Sequence, residues 1–487
     1  MPVDLKKPLA WTKANADEQQ MLDDLQGNIL KGHGRNFTVN LFLHFDVAQR
    51  KAACAFVHEI AKQLTSASSQ LAANGVYKAT GKSAPVFTAF LLTARGYGAL
   101  GRADLKPVTN AALFEAGMQS RITALNDPPL QTWNDTFQGD IHAMLLIADD
   151  SEAARNVVHT QVLALIDATL GAVTVLGEEE GRAMRNPDGH GIEHFGYVDG
   201  RSQPLMLVED IEEERTKPGG GIDQWDPTIP LGQVLVPCPG GVSAANSHGS
   251  YFVFRKLEQN VRGFKKDEQQ LAEFLALGAG ENDPDEAAEL KELAGAMVVG
   301  RFENGQPVAL RKTDGNLAGV EVPNNFNFKA DPNGLKCPFA GHIRKSNPRG
   351  DSEDKFPQFV PKGTEIRHLM ARRGITYGLR SVQPNDPNLR FEDMPTGDVG
   401  LLFMAYQSNL EDQFEFTQRT WVNNQDFVVG ATGIDPVIGQ TPGPNGQKWP
   451  DVWGQSLKPE PYDFSDWVTL QGGEYFFAPC ISVLKTL

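Results

Sequence analysis

Cysteine is scarce in this 487-residue chain. The four that occur, Cys54, Cys238, Cys337 and Cys480, are far apart, with no C-x-x-C pair. That spacing argues against a disulfide framework or a zinc ribbon and makes buried free thiols the expectation. Long apolar runs are missing too: nothing approaches the ~18 consecutive apolar residues of a membrane-spanning helix. The opening MPVDLKKPLAWTKANADEQQ has no apolar h-region and no small-residue cleavage site, so a cytoplasmic location is expected. Positive charge is in deficit, with 45 Lys and Arg against 61 Asp and Glu and a net charge of −16. An acidic surface repels phosphate backbones and anionic lipid, which argues against nucleic acid or a membrane as partner.

What is present is ordinary for a soluble globular protein: 40% hydrophobic and 22% charged residues. At ~100–200 residues per domain, the length suggests two to four domains, or two large ones. A helix ending in a glycine-rich turn is expected over 24–35 and a strand over 36–46, where apolar residues alternate. A helix over 47–67 follows, then a strand, turn and short helix over 84–101 and a buried strand over 140–150. Ser151 is a good N-cap for a helix over 151–171, and 172–183 reads as a further strand. The order is that of a split βαβ, ferredoxin-like unit. A Pro- and Gly-rich connection spans 215–233. Strand and helix follow over 249–276, an acidic loop and helix over 280–301, and a strand running into a long amphipathic helix over 396–421. The element order alone suggests a second copy of the same unit.

Several residues could carry chemistry. Asp199, in HFGYVDGRSQP, suits a turn, but equally a proton-handling group at the mouth of a site. His190 and His194 are spaced like a zinc pair, yet Gly191 stands where the metalloprotease motif needs Glu and weakens a helix. His142 and His159 fall in expected core elements, and His33 and His248 sit beside glycine in turns. His342 lies in CPFAGHIRKSNPRG, before Arg344, Lys345 and Arg349. Such an imidazole could ligate an iron porphyrin whose propionates the cations hold. A basic surface loop with an incidental histidine remains open on spacing alone. Arg372 and Arg373 precede an apolar stretch, either as ion-pair partners or as a fixed cation that polarises a bound oxygen species. In GLLFMAYQ, Leu401 and Phe403 share one strand face and Leu402 and Met404 the other. Glu411 or Asp412 could accept the second N–H of a ligating histidine.

Together these segments resemble the dye-decolourising peroxidases, a haem peroxidase family, in the larger subgroup that includes fungal and cyanobacterial members. Gly196-Tyr197-Val198-Asp199-Gly200 matches its G-x-x-D-G motif. HIRKSNPR resembles its proximal-histidine segment, ARRGITYG its distal arginine segment with Arg372 in position, and GLLFMAYQSNLEDQF its distal strand and following helix. DLQGNILKGHGR resembles the subgroup's opening. The matches run from about residue 24 to 421. G-x-x-D-G alone is weak, but the ordered set is specific.

The resemblance implies an α+β fold of two ferredoxin-like domains with antiparallel sheets, drawn at 1–210, which carries the GxxDG loop, and 211–487, which binds most of the haem b. It implies His342 as iron ligand, Asp199 as distal acid/base and Arg372 as charge stabiliser during O–O cleavage. Gly200, Arg201, Ser202, Gln203, Arg344, Leu401, Phe403 and Glu411 are the further haem contacts that the resemblance implies. The partners implied are hydrogen peroxide and aromatic reductants such as dyes and phenolics, in a monomer or small homo-oligomer with an acidic optimum. A surface Trp or Tyr, with Trp421, Tyr377 and Tyr406 as candidates, would relay electrons to substrates too large to enter. The chain departs from the family pattern in places. Arg201 and Ser202 replace the threonine and following residue common after D-G, Gly374 stands where some members carry a distal Asn, and 350–365 looks inserted. Two other classes compete: a non-catalytic haem carrier or store, which needs only His342, and a haem-free enzyme using Asp199 and a histidine.

Overall fold

Asn15 opens the first helix, α1 (Ala16–Asp24), with a reciprocal capping box. Its side chain accepts from the amides of Asp17 and Glu18 at 2.9 and 3.1 Å, and Glu18 accepts from the Asn15 amide at 2.9 Å. This computed structural model describes residues 2–276, 284–315, 317, 321–441 and 444–487; part of the acidic loop expected over 280–301 falls outside the described residues. The helix expected over 24–35 is absent because Gln26 pins the chain sideways. Its amide group donates to Phe90 O and Pro479 O and accepts from Phe90 N, so the segment runs as a connection and the helix lies before it.

The elements that position the site form two successive units. The first comprises β1 (Phe37–Phe45), α2 (Arg50–Ala61), β2 (Phe87–Leu92), β3 (Ala143–Asp149), α3 (Glu152–Asp167) and β4 (Val173–Arg182). Ser151 caps α3 by accepting from Ala154 N, as its position predicts. The second comprises β5 (Val236–Pro237), β6 (His248–Gln259), α4 (Val261–Ala276), α5 (Pro284–Val299), α6 (His342–Ser346), β7 (Ala371–Arg372), β8 (Ile375–Tyr377), β9 (Gly400–Gln407), β10 (Val468–Ala478) and α7 (Ile481–Leu484). The pairings among these strands are antiparallel, and the main sheet runs β8-β9-β6-β10-β2-β3-β1-β4, with β5 on β6 and β7 on β9. Each half is therefore the ferredoxin-like α+β arrangement. The halves join where Phe477 of β10 pairs with Leu92 of β2. At the far edges Thr376 Oγ1 of β8 donates to Arg182 O of β4, and Ile375 fills the space beside Gly181, which curls the sheet back on itself.

The alternation of β6 and β9 divides their side chains between two environments. Phe254 packs edge-on against Phe42 (centroids 5.0 Å) and stacks on Phe137 (5.7 Å) in the main core, with Leu402 and Met404. Arg255, Leu257, Leu401 and Phe403 face a cavity instead. In α4, Val261, Phe264, Leu271 and Leu275 recur at helical spacing and pack with α5 into a second apolar cluster that includes Phe195 and Tyr197. The helix expected after β9 is present over 411–422 but wound as π-helical turns. Its buried Glu415 is drawn to Arg121 (2.8 Å to both carboxylate oxygens) and Tyr475 Oη (2.9 Å), contacts that the wider winding accommodates. Among the described residues, no helix is long and apolar enough to cross a membrane.

Phe254 is 0% exposed, so Phe254→Ala should cost about 3–5 kcal/mol of stability, read as a lowered denaturation midpoint.

Candidate active site

One large cavity holds most of the singled-out residues. Leu257, Leu401, Phe403 and Val468 form its sheet wall. The 193–204 loop, α6 and the 411–422 helix close the other sides. Both halves of the sequence contribute.

His342, the first residue of α6, lines this cavity. Its Nδ1 meets Asp435 Oδ2 at 2.8 Å, which leaves Nε2 as the nitrogen available to a ligand. Burial lowers the imidazole pKa, but the charge and hydrogen bond of Asp435 outweigh it and the net shift is upward. Asp435 is 1% exposed and is itself held by the amides of Val437 (2.8 Å) and Ile438 (3.0 Å). The carboxylate behind His342 is thus Asp435, neither Glu411 nor Asp412. Both of those lie exposed at the start of the π-wound helix, outside the cavity lining. Asp435 is 93 residues from His342 in sequence, and nothing in its surroundings signals the pairing.

The Asp199 loop is wrapped around another carboxylate. Glu193 accepts from the amides of Phe195 (2.8 Å) and Tyr197 (3.0 Å) and from the Gln259 side chain, while Asp199 N donates to Gly191 O at 3.0 Å. Gly196 and Gly200 both take positive φ, +102° and +79°, which turns the chain on each side of Val198 and Asp199. Burial pushes the Glu193 carboxyl up to about 7, against the pull of its hydrogen bonds. Arg372 meets this loop: Nη1 stands 3.6 Å from Asp199 Oδ1 and Nη2 donates to Ser202 O at 3.0 Å. Gln203 is a positioning group, absent from the lining, whose Oε1 accepts the Arg372 amide at 3.1 Å. Arg373 points away and ties β7 to the 28–29 carbonyls.

The cations at the cavity differ from the set expected. Arg344 is fully buried elsewhere, bonded to Asp331 and Asp351 at 2.9 and 2.8 Å and stacked on Phe339, because its helix turns it away from the lining. Arg201 lines the cavity, with its charge met by Glu214 at 2.8 Å. Arg301, which the sequence did not single out, lines it too. Its Nη1 donates to Gly305 O and Pro323 O at 2.7 Å, and its buried Nη2 has no partner. Burial, reinforced by Arg201 and Arg372, pulls its pKa down to about 9. A buried guanidinium with an orphan donor beside two further cations is a place for an anionic ligand. Ser202, beside Gly200 in the lining, accepts from Arg349 Nη2 at 3.0 Å, and Gly374 packs against Leu401.

His194 and His142 fill local roles. His194 bonds Tyr377 O at 2.7 Å. His142 Nδ1 accepts Phe45 N–H at 2.9 Å, which places its proton on Nε2, toward Asp140. The three relay candidates are not at the surface: Trp421, Tyr377 and Tyr406 are 3, 6 and 0% exposed, packed on Phe427, under Lys256 and on Phe252.

Residues 24–183 match the family model for the DyP dimeric alpha+beta barrel domain. Over its full length the chain is 44% identical to the full length of the multifunctional dye peroxidase DyP2 of Amycolatopsis sp.. The chain belongs to the dye-decolourising peroxidase family. The solved DyP2 structure superposes with a TM-score of 0.89 at 42% identity, covering 100% of both chains. The DyP-type peroxidase of Anabaena sp. follows at 0.87 and 38%, covering 99% of this chain and 98% of its own. A dye-decolorizing peroxidase whose heme pocket was engineered for asymmetric sulfoxidation reaches 0.73 at 25%, covering 95% of this chain and 98% of its own.

Glu193 supplies a pH test. Its carboxyl is raised on folding, so its contribution is greatest below pH ~4.5 and is lost as pH rises through about 7. Glu193→Gln should flatten the decline in denaturant-measured stability between pH 5 and 8; an unchanged slope would remove Glu193 from that transition.

Proposed function

We propose that the protein is a haem peroxidase that binds haem b in this cavity and uses hydrogen peroxide to oxidise bulky aromatic compounds, such as dyes and phenolics, in one-electron steps. The observation that carries this reading is that His342, backed by Asp435, shares one cavity with the Asp199–Arg372 pair. The residues suit the cofactor. His342 Nε2 is a free imidazole nitrogen, the unpartnered Arg301 Nη2 beside Arg201 suits a propionate, and Ile343, Leu401 and Phe403 offer apolar walls. Bound haem supplies the iron at which the peroxide O–O bond is broken.

The chain's own groups do the proton work. Asp199 takes a proton from the inner peroxide oxygen and returns it to the outer one, which leaves as water. Arg372, anchored by Ser202 O and the Gln203 side chain, keeps a permanent positive charge where negative charge grows. Leu401 and Phe403 keep bulk water off that face. Asp435 fixes the imidazole orientation and increases its basicity as a ligand. A haem carrier would need His342 alone; the Asp199–Arg372 pair and the Gln203 strut have no use in one.

Asp199→Asn and Arg372→Ala should each lower peroxide turnover by about 10²-fold or more with the Soret band retained, whereas His342→Ala should lose that band. Full turnover in both distal variants would overturn the roles given to Asp199 and Arg372. Asp435→Ala should weaken haem retention by about 10–100-fold in a transfer assay to apomyoglobin, with the fold intact by circular dichroism.

A further inference from the structure

Cys238 and Cys480 are 242 positions apart in the chain, yet their Sγ atoms lie 2.9 Å from each other, and the Cys480 amide donates to Cys238 Sγ at 3.1 Å. Cys238 directly follows β5, and Cys480 lies between β10 and α7. We infer that this pair is an oxidation site at which the two thiols join as a disulfide, stapling the end of β10 to the β5 edge.

The surroundings hold the two segments in place for this. Asp24 of α1 clamps both: its carboxylate accepts from Ser247 Oγ (2.9 Å), which is bonded through its carbonyl to Cys238 N, and from Ser482 N (2.7 Å) and Ser482 Oγ (2.8 Å), two residues beyond Cys480. Gly241 lets the strands approach, since a Cβ there would stand 2.9 Å from Cys480 Sγ and 2.3 Å from Ser247 Cβ. Sulfur contact therefore needs no backbone rearrangement. Cys54, bonded to Leu100 O, and Cys337, beside Gly341, lie in other parts of the fold.

The oxidant is hydrogen peroxide, the co-substrate of peroxidases. One thiol displaces water from peroxide to give a sulfenic acid. The second thiol attacks that sulfur, the S–S bond forms, and a second water leaves. Two thiols and one peroxide thus become one disulfide and two waters, with both sulfurs oxidised and the peroxide oxygens reduced. The pair is 4% and 0% exposed, and burial with the neighbouring thiol raises the Cys238 pKa. Reaction therefore requires brief opening of the C-terminal residues and is slow compared with turnover. Once closed, the bond is shielded from reductants. It would secure β10, the strand that joins the two halves of the sheet through the Phe477–Leu92 pair three residues upstream.

The test uses the intact protein as purified, with and without hydrogen peroxide, alkylated in denaturant and mapped without reduction. The expected result is one linked peptide pair joining Cys238 and Cys480, lighter by two hydrogens than the two thiol peptides. Cys54 and Cys337 remain alkylated. The thermal midpoint should rise by several degrees on oxidation, a rise that Cys480→Ala abolishes. Alkylation of all four cysteines after peroxide, or sulfinic and sulfonic acids at Cys238 or Cys480 without a linked peptide, would overturn the inference.

Discussion

Strand β10 is the constraint on which the molecule depends. It pairs with β6 along most of its length and with β2 at its end, so two ferredoxin-like units that would each expose a sheet edge become one continuous sheet. Curling brings the outer edges together at Thr376 and Arg182, and the core fills with Phe42, Phe137, Phe254 and Phe476. With one face of the second unit committed to that core, the period of two leaves Arg255, Leu257, Leu401 and Phe403 on the other. The cavity is what the long segments outside the sheet enclose over that face.

Within the cavity, unpaired charge decides the chemistry. Arg344 is matched by two aspartates, and Arg255, in the cavity lining, by Asp127 at 2.6 Å. Arg301 is not, and it shares the lining with Arg201 and Arg372. Uncompensated positive charge in a low-dielectric space costs stability unless an anion binds, which is why Arg301 suits an anionic ligand. Asp435, held by the Val437 and Ile438 amides, orients His342, and Ser202 O with the Gln203 side chain orients Arg372 beside Asp199.

Much of this was legible in the residues. Alternation located β1, apolar runs located β3 and β9, and Ser151 announced α3, because these signals act within a few residues. The order of elements implied two like units. Asp199, Arg372, His342, Leu401 and Phe403, singled out by residue chemistry and by the family resemblance, do line one cavity. Arg344 was misplaced because nearness to His342 in sequence was taken for nearness in space, and Glu411 because its carboxylate chemistry was taken for its position. Asp435 and Arg301 went unnoticed because each is a single ionisable residue in an unremarkable segment. The surface relay failed similarly, since an aromatic side chain in a strand or helix says nothing of its depth.

By itself the sequence determined the local terms: which stretches pleat or coil, where α1 and α3 are capped, and which residue types could bind a porphyrin or carry a proton. Those follow from sterics and hydrogen bonding over short separations. Only the tertiary structure decided which carboxylate stands behind His342, which arginine is left without a partner, that Glu193 underlies the Asp199 loop, and that two thiols 242 positions apart are in contact. Each is a pairing across long chain separations, set by how the two units share β10 rather than by any neighbour in sequence.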